Sequence, residues 1–244
     1  MIEQPEEGIG VYYQGKEFNV NWEGYVILKN KLKTKETHIS SQIKTFGARF
    51  RVPVSRNILL YAEGAFQNGE QGDNAISAWG GYTHLDYSIR EIIPCLEKFT
   101  LGAIALSGDD PGTSTMEGWD PLFSRWPKWS ESYIYTLIPE TGGKVAYWSN
   151  LSSLNGSLVF KFTDKLGLKL TYHYLKSFHD FAFISSRKYG RGNFRGDLVI
   201  ARSTFQINKY FKGHVVFETF NPGDFYSSED DPYNWFRFEL MYSF

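Results

Sequence analysis

The sequence predicts an all-β protein, an antiparallel up-and-down transmembrane β-barrel. Three observations carry that prediction. Period-two alternation of apolar and polar residues runs through most of the chain, and helical periodicity is nearly absent. The alternating segments are long, roughly 9–15 residues where complete. Strands of soluble proteins run to about five or six residues, whereas tilted strands that cross a bilayer need about 9–11. Short and long connections also take turns along the chain, as in outer-membrane barrels with tight periplasmic turns and long outer loops.

Composition agrees with this class. The 244 residues are read as one domain over residues 1–244. Aromatic residues make up 18% of the chain, with 20 Phe and 16 Tyr, while apolar residues in total reach only 42%. An aromatic excess on average hydrophobicity suits a surface in contact with lipid. The formal net charge of -1 gives no argument for nucleic acid. Cys95 is the one cysteine, so no internal disulfide can form. No stretch approaches the roughly 18 apolar residues of a membrane helix. The opening "MIEQPEEGIG" lacks the basic start and apolar run of a signal peptide, so an exported form would begin at a mature, engineered or cut end.

In order, strands are expected at about 9–13, 18–29, 41–53, 57–68, 74–90, 97–108, 148–162, 166–178, 194–208, 211–221 and 234–244. Short turns are expected at "QGKE", "PVSRN", "IREIIPCLEK", "TDKLG" and "NKYFKG". Longer connections are expected at "KNKLKTKETHIS", "QNGEQGDN", the stretch from "GDDPGTST" to "PETGGKVA", "SFHDFAFISSRKYGRGN" and "NPGDFYSSEDDPYN". The faces separate cleanly. Val20, Trp22, Val26 and Leu28 oppose Asn19, Asn21 and Glu23; Leu154, Leu158, Phe160 and Phe162 oppose Asn155, Ser157 and Lys161. Leu166, Leu168, Leu170, Tyr172 and Tyr174 oppose Lys169, Thr171 and His173. In a closed barrel the apolar set meets lipid and the polar set lines the lumen.

The chain ends "PYNWFRFELMYSF", with Phe236, Phe238, Leu240, Tyr242 and Phe244 on one side. A last strand in lipid must pair along its length, because unsatisfied backbone groups there cost several kcal/mol each. Strand directions counted back from this end make the first fragment, "GIGVYY", run inward from outside. Single-chain bacterial barrels have even strand counts and start in the periplasm. An odd number of further strands upstream is therefore expected.

Two segments carry a family resemblance: "ISAWGGYTHLDYS" with "FTLGAIALSGDDPGTSTMEGWDPLFSRWPKWSESYIY", and "NPGDFYSSEDDPYNWFRFELMYSF". Both resemble the alginate export family of outer-membrane barrels. The resemblance implies a barrel of about 18 strands, of which this chain would supply the C-terminal 10–11. It implies passive passage of a polysaccharide such as alginate, or of small anionic or organic solutes. It also implies that the C-terminal strand ending in Phe244 is read by the barrel-assembly machinery, with outer-membrane lipid and lipopolysaccharide as the surroundings.

The expected lumen faces carry Arg49, Arg51, Lys161, Lys169, Arg202 and Arg237, with Glu23, Glu63, Glu218 and Glu239, and the imidazoles of His173 and His214. Basic rings select anions in pores, and the guanidinium fork suits carboxylates. The same charges could instead pair across strands and stabilise the wall. The loop at 109–147 places Trp119, Phe123, Trp126 and Trp129 among Asp109, Asp110, Asp120, Arg125 and Lys128. It could enter the pore as a constriction or pack on itself as a lid. Asp109 and Asp110 lie in "DDPG", a turn sequence.

Neither a nucleophile pattern nor metal-ligand spacing is present, so no catalytic residue, metal or cofactor is expected. The competing readings are an outer-membrane adhesin and a lipid-modifying barrel enzyme.

Overall fold

A computed structural model describes residues 5–33, 39–110, 112–124, 129–131, 139–141, 144–145, 149–179, 190 and 192–244. Eleven strands form one sheet: β1 Glu6–Glu17, β2 Val20–Lys31, β3 Ser41–Pro53, β4 Ile58–Gln71, β5 Asn74–Ser88, β6 Leu96–Leu106, β9 Leu151–Thr163, β10 Leu166–Lys176, β11 Phe194–Gln206, β12 Phe211–Pro222 and β13 Tyr233–Tyr242. Each pairs antiparallel with its sequence neighbour in the sheet, an up-and-down order without crossover. A small separate ribbon, β7 Pro139–Thr141 with β8 Lys144–Val145, lies within the long loop. The described residues contain no helix. All eleven expected strands are present.

Two turn expectations need correction. The first hairpin does not turn at "QGKE". β1 continues to Glu17, and Phe18 and Asn19 make the turn with φ of 47° and 67°. Positive φ at both central residues is the hairpin geometry that matches strand twist, and it is usually met by Asn or Gly. Phe in the first position hid it. The β4–β5 connection is not long: Gly72 and Asp73 alone join Gln71 to Asn74, with Gly72 at φ 61°. The pairing of β3 with β4 runs as far as Ser41↔Gln71, so "GEQ" continues the strand instead of leaving it. Long connections still gather at one end of the sheet, this hairpin excepted.

The two faces differ as the alternation requires. Phe46, Phe66, Trp79, Leu170, Phe217, Phe236 and Phe238 all stand exposed on the outer face. Leu170 and Phe238 are 36% and 57% exposed, so no second layer covers them. The strand pairing reaches Ser243, whose N–H donates to Tyr210 O at 2.9 Å.

The inner face curls. Lys29 of β2 bonds Leu122, while Arg237 of β13 bonds Glu131. Residues of β5 to β12 line one cavity beside this loop and residues of β1 to β6 another, and Trp129 of the loop borders both, so the sheet bends around it. β1 and β13 do not pair with each other, so the sheet is open among the described residues.

One expectation about the inner face is corrected. It is not polar throughout. Near the long-loop end Ile104, Leu106, Leu151, Leu198, Val216 and Phe220 form an apolar cluster with Phe225 and Tyr226 of the β12–β13 loop. Trp119 and Trp129 pack against it. The loops fold onto the wall there, and a covered wall buries apolar side chains for the usual hydrophobic gain.

Candidate functional site

The candidate site is the inner face beneath residues 107–110, 112–124 and 129–131, which lie across it as a strap. The strap starts at the rim. Ser77 N–H donates to Met116 O at 3.0 Å and Met116 N–H donates to Ala75 O at 2.8 Å, a short parallel bridge to β5. Asp109 and Asp110 shape the turn before it: Glu117 N–H donates to Asp109 Oδ1 at 2.7 Å, and Gly112 N–H donates to Asp110 Oδ1 at 2.8 Å. The strap then descends. Asp120 exchanges two hydrogen bonds with Gln67, a fully buried residue of β4. Lys29 Nζ donates to Leu122 O at 2.6 Å and pairs with Asp120 at 3.3 Å and Glu6 at 3.4 Å. On the opposite wall Ser130 Oγ donates to Glu218 Oε2 at 2.6 Å and Glu131 N–H to Glu218 Oε1 at 2.9 Å. Arg237 Nη2 closes the attachment on Glu131 Oε1 at 2.7 Å.

Two strap aromatics sit on strand glycines. A Cβ on Gly80 would lie 2.7 Å from Trp119 Cδ2, and one on Gly8 would overlap the Phe123 ring. Only a residue without Cβ lets these rings approach the wall so closely. The loop thus packs inside the curled sheet rather than only on itself.

Among the described residues two cavities of about 510 and 390 Å³ lie beside the strap, and Tyr82 and Trp129 border both. Both fall within the about 300–1,000 Å³ typical of small-molecule sites. The smaller is lined by Glu23, Arg49 and Glu63 together with Tyr25 and Trp119. Its charged groups all have partners. Arg49 Nη2 donates to Glu23 Oε2 at 3.0 Å, Gln14 donates to the same oxygen, and Tyr25 OH donates to Glu63 Oε1 at 2.9 Å.

The larger cavity differs. Lys98 Nζ donates to Asp86 Oδ2 at 2.9 Å and Thr100 Oγ1 donates to Asp86 Oδ1 at 2.7 Å. Lys169 and Arg202 also line it and stand directly opposite each other in the β10–β11 register. Neither has a hydrogen bond or ion pair among the described residues. Like charges directly opposed on adjacent strands destabilise a sheet. Buried beside them, Ser153 Oγ and His173 Nδ1 lie 3.1 Å apart.

Each residue singled out in the sequence can now be placed. Lys169, His173, Arg202 and Glu218 line the larger cavity, and Arg49 and Glu63 the smaller. Arg51 lies apart, donating from Nε to Tyr61 OH at 3.1 Å. Lys161 pairs with Asp164 at 2.7 Å beside the β9–β10 turn. His214, Arg237 and Glu239 gather at the β12–β13 wall, where Arg237 Nη2 donates to His214 Nε2 at 2.7 Å and Nη1 lies 3.7 Å from Glu239. Of the loop residues, Trp129 borders both cavities, whereas Asp109 and Asp110 shape the turn. Arg125, Trp126 and Lys128 lie outside the described residues. Sequence reasoning missed Gln67, Lys29, Tyr82, Lys98 and Asp86. Strand parity puts all five on the inner face, but the partners of Gln67 and Lys29 sit 53 and 93 residues away in sequence.

Comparison with known proteins adds the family. The alginate export family model matches residues 10–239, nearly the whole chain. No curated protein matches. Among solved structures, one of the NanC porin is similar at 7% identity and a TM-score of 0.46, covering 99% of this chain and 95% of that one. With eleven up-and-down strands and the match over residues 10–239, the chain belongs to the alginate export family.

Proposed function

We propose that this chain forms the wall of an outer-membrane channel that passes a polysaccharide or small anionic organic solutes and catalyses no reaction. The observation that carries this reading is the opposed Lys169–Arg202 pair, facing a cavity inside a sheet whose other face is bare and apolar. A like-charge pair that costs the fold stability is well explained by attraction of an anion, since a low-dielectric channel focuses the field of even a few charges. In this reading the free edges of β1 and β13 are closed by additional strands, and lipid, with lipopolysaccharide in the outer leaflet, surrounds the apolar face. The strand ending in Phe244 serves the assembly machinery. Ser153 and His173 are 1% and 3% exposed, and we read their contact as a satisfied buried polar pair.

Planar bilayers test the proposal. The full-length protein should conduct ions, with reversal potentials in a KCl gradient showing anion preference. Substituting Lys169 and Arg202 with Gln should lower that preference, whereas Arg51→Gln should leave it unchanged. A tight electrical seal would count against a channel.

A further inference from the structure

The larger cavity carries an inference that rests on the channel reading and narrows its substrate. We propose that Lys169 and Arg202 form a saturable binding site for a small organic monocarboxylate, such as a single sugar acid, rather than a stretch of polymer in transit.

Charge argues first. Of the six cations expected in the lumen, three form ion pairs, Arg49 with Glu23, Lys161 with Asp164 and Arg237 with Glu131, and Arg51 donates to the Tyr61 hydroxyl away from both cavities. A basic ladder is therefore reduced to one focus. Lys169 and Arg202 face each other across the β10–β11 ladder with no partner among the described residues. An arriving carboxylate would take the guanidinium fork in two parallel hydrogen bonds and the ammonium as a point charge. Asp86, Glu131 and Glu218 line the same cavity, so a dianion would meet more repulsion than a monoanion.

Shape argues second. The cavity holds about 510 Å³, and Tyr82 and Trp129 border both it and the smaller one. Trp129 belongs to the strap, which is fastened on β2, β4, β12 and β13. A polymer running from one cavity into the other would have to pass Trp129. A molecule of one ring fits while the strap stays fastened. The apolar and aromatic wall of Trp129, Ile200 and Val216 suits the flat face of such a ring, with the carboxylate turned toward the cations.

Saturation-transfer NMR on the full chain in detergent micelles provides a test that needs no conduction, with glucuronate as the probe. Glucuronate should show a saturable response in the wild type, weakened at least tenfold by Lys169→Gln with Arg202→Gln and kept in Lys169→Arg and Arg51→Gln. Neutral glucose should give a much weaker response. Heat-modifiable gel mobility checks that each variant is folded. If the double variant fails to fold, Arg202→Gln alone should still weaken binding several-fold. A response that does not saturate, that survives both substitutions, or that is matched by glucose would overturn the site. A stronger response to glucose 6-phosphate than to glucuronate would overturn the monoanion assignment. Binding without conductance in bilayers would keep the site and defeat the channel reading. Conductance without binding would do the reverse.

Discussion

The side-chain amide of Gln67 pairs with the backbone of Asp120 as a strand would: Gln67 Nε2 donates to Asp120 O at 2.8 Å, and Asp120 N–H donates to Gln67 Oε1 at 2.9 Å. The amide also reaches Thr45 Oγ1 at 3.3 Å, so the whole group is satisfied in a site without solvent exposure. One side chain of the wall thereby fixes the depth at which the strap runs.

Gln67→Ala should release that part of the strap. It leaves the Asp120 N–H and carbonyl without their buried partners, a loss of about 1–3 kcal/mol. Urea unfolding in micelles should show the lower stability, and single-channel conductance should rise. Unchanged conductance would mean that the strap does not limit flow.

Gly80→Val should push Trp119 off the wall. The added Cβ alone would lie 2.7 Å from the indole, so the ring or the strap that carries it must shift. Faster proteolysis within residues 112–124 would report the displacement, and wild-type cleavage rates would refute it.

Lys169→Gln should stabilise the sheet while weakening anion preference. Relieving directly opposed like charges is worth about 0.2–1 kcal/mol. A fall in the unfolding midpoint would show that Lys169 has a stabilising partner.

Leu170→Arg tests what solvates the outer face. Leu170 is mid-strand in β10 and 36% exposed. An arginine on a lipid-facing position costs about 2–4 kcal/mol near the bilayer midplane and about zero to 1 near the interfaces. Reversible unfolding in lipid vesicles should show a loss of that size. No loss would remove lipid from that face.

Lys161 and Asp164 provide a contrast. The hydrogen bond from Lys161, and then its charge, hold the Asp164 carboxyl below its ordinary range. A depressed carboxyl contributes stability above its unfolded value and loses it as the pH falls through the folded one. Asp164 is fully exposed, so this contribution is screened by solvent. Asp164→Asn should leave the unfolding midpoint at pH 7 where it is, and Lys161→Gln should not alter reversal potentials. A clear shift in either would give this turn a role in the pore.

The strands were legible because one face of each meets a different medium from the other, and period two records that directly. β13 shows it: Phe236, Phe238 and Leu240 alternate with Arg237 and Glu239. The β4–β5 connection was not legible, because Gly69 and Gly72 look like a loose loop. Gly69 instead stays in the ladder opposite Ile43, and only Gly72 and Asp73 turn. The ion pairs across neighbouring strands could be suspected from parity but not assigned. Register decides whether Arg49 meets Glu23 and whether Lys169 meets Arg202.

The sequence by itself determined the sheet and its two faces, because alternation is a local property of the chain. Only the tertiary structure decided where residues 112–124 and 129–131 lie, which charges are paired, and which residues line the cavities. Those outcomes depend on contacts such as Gln67 with Asp120 and Arg237 with Glu131, made between residues far apart in the chain. Nothing in the local pattern at either end of such a contact names its partner.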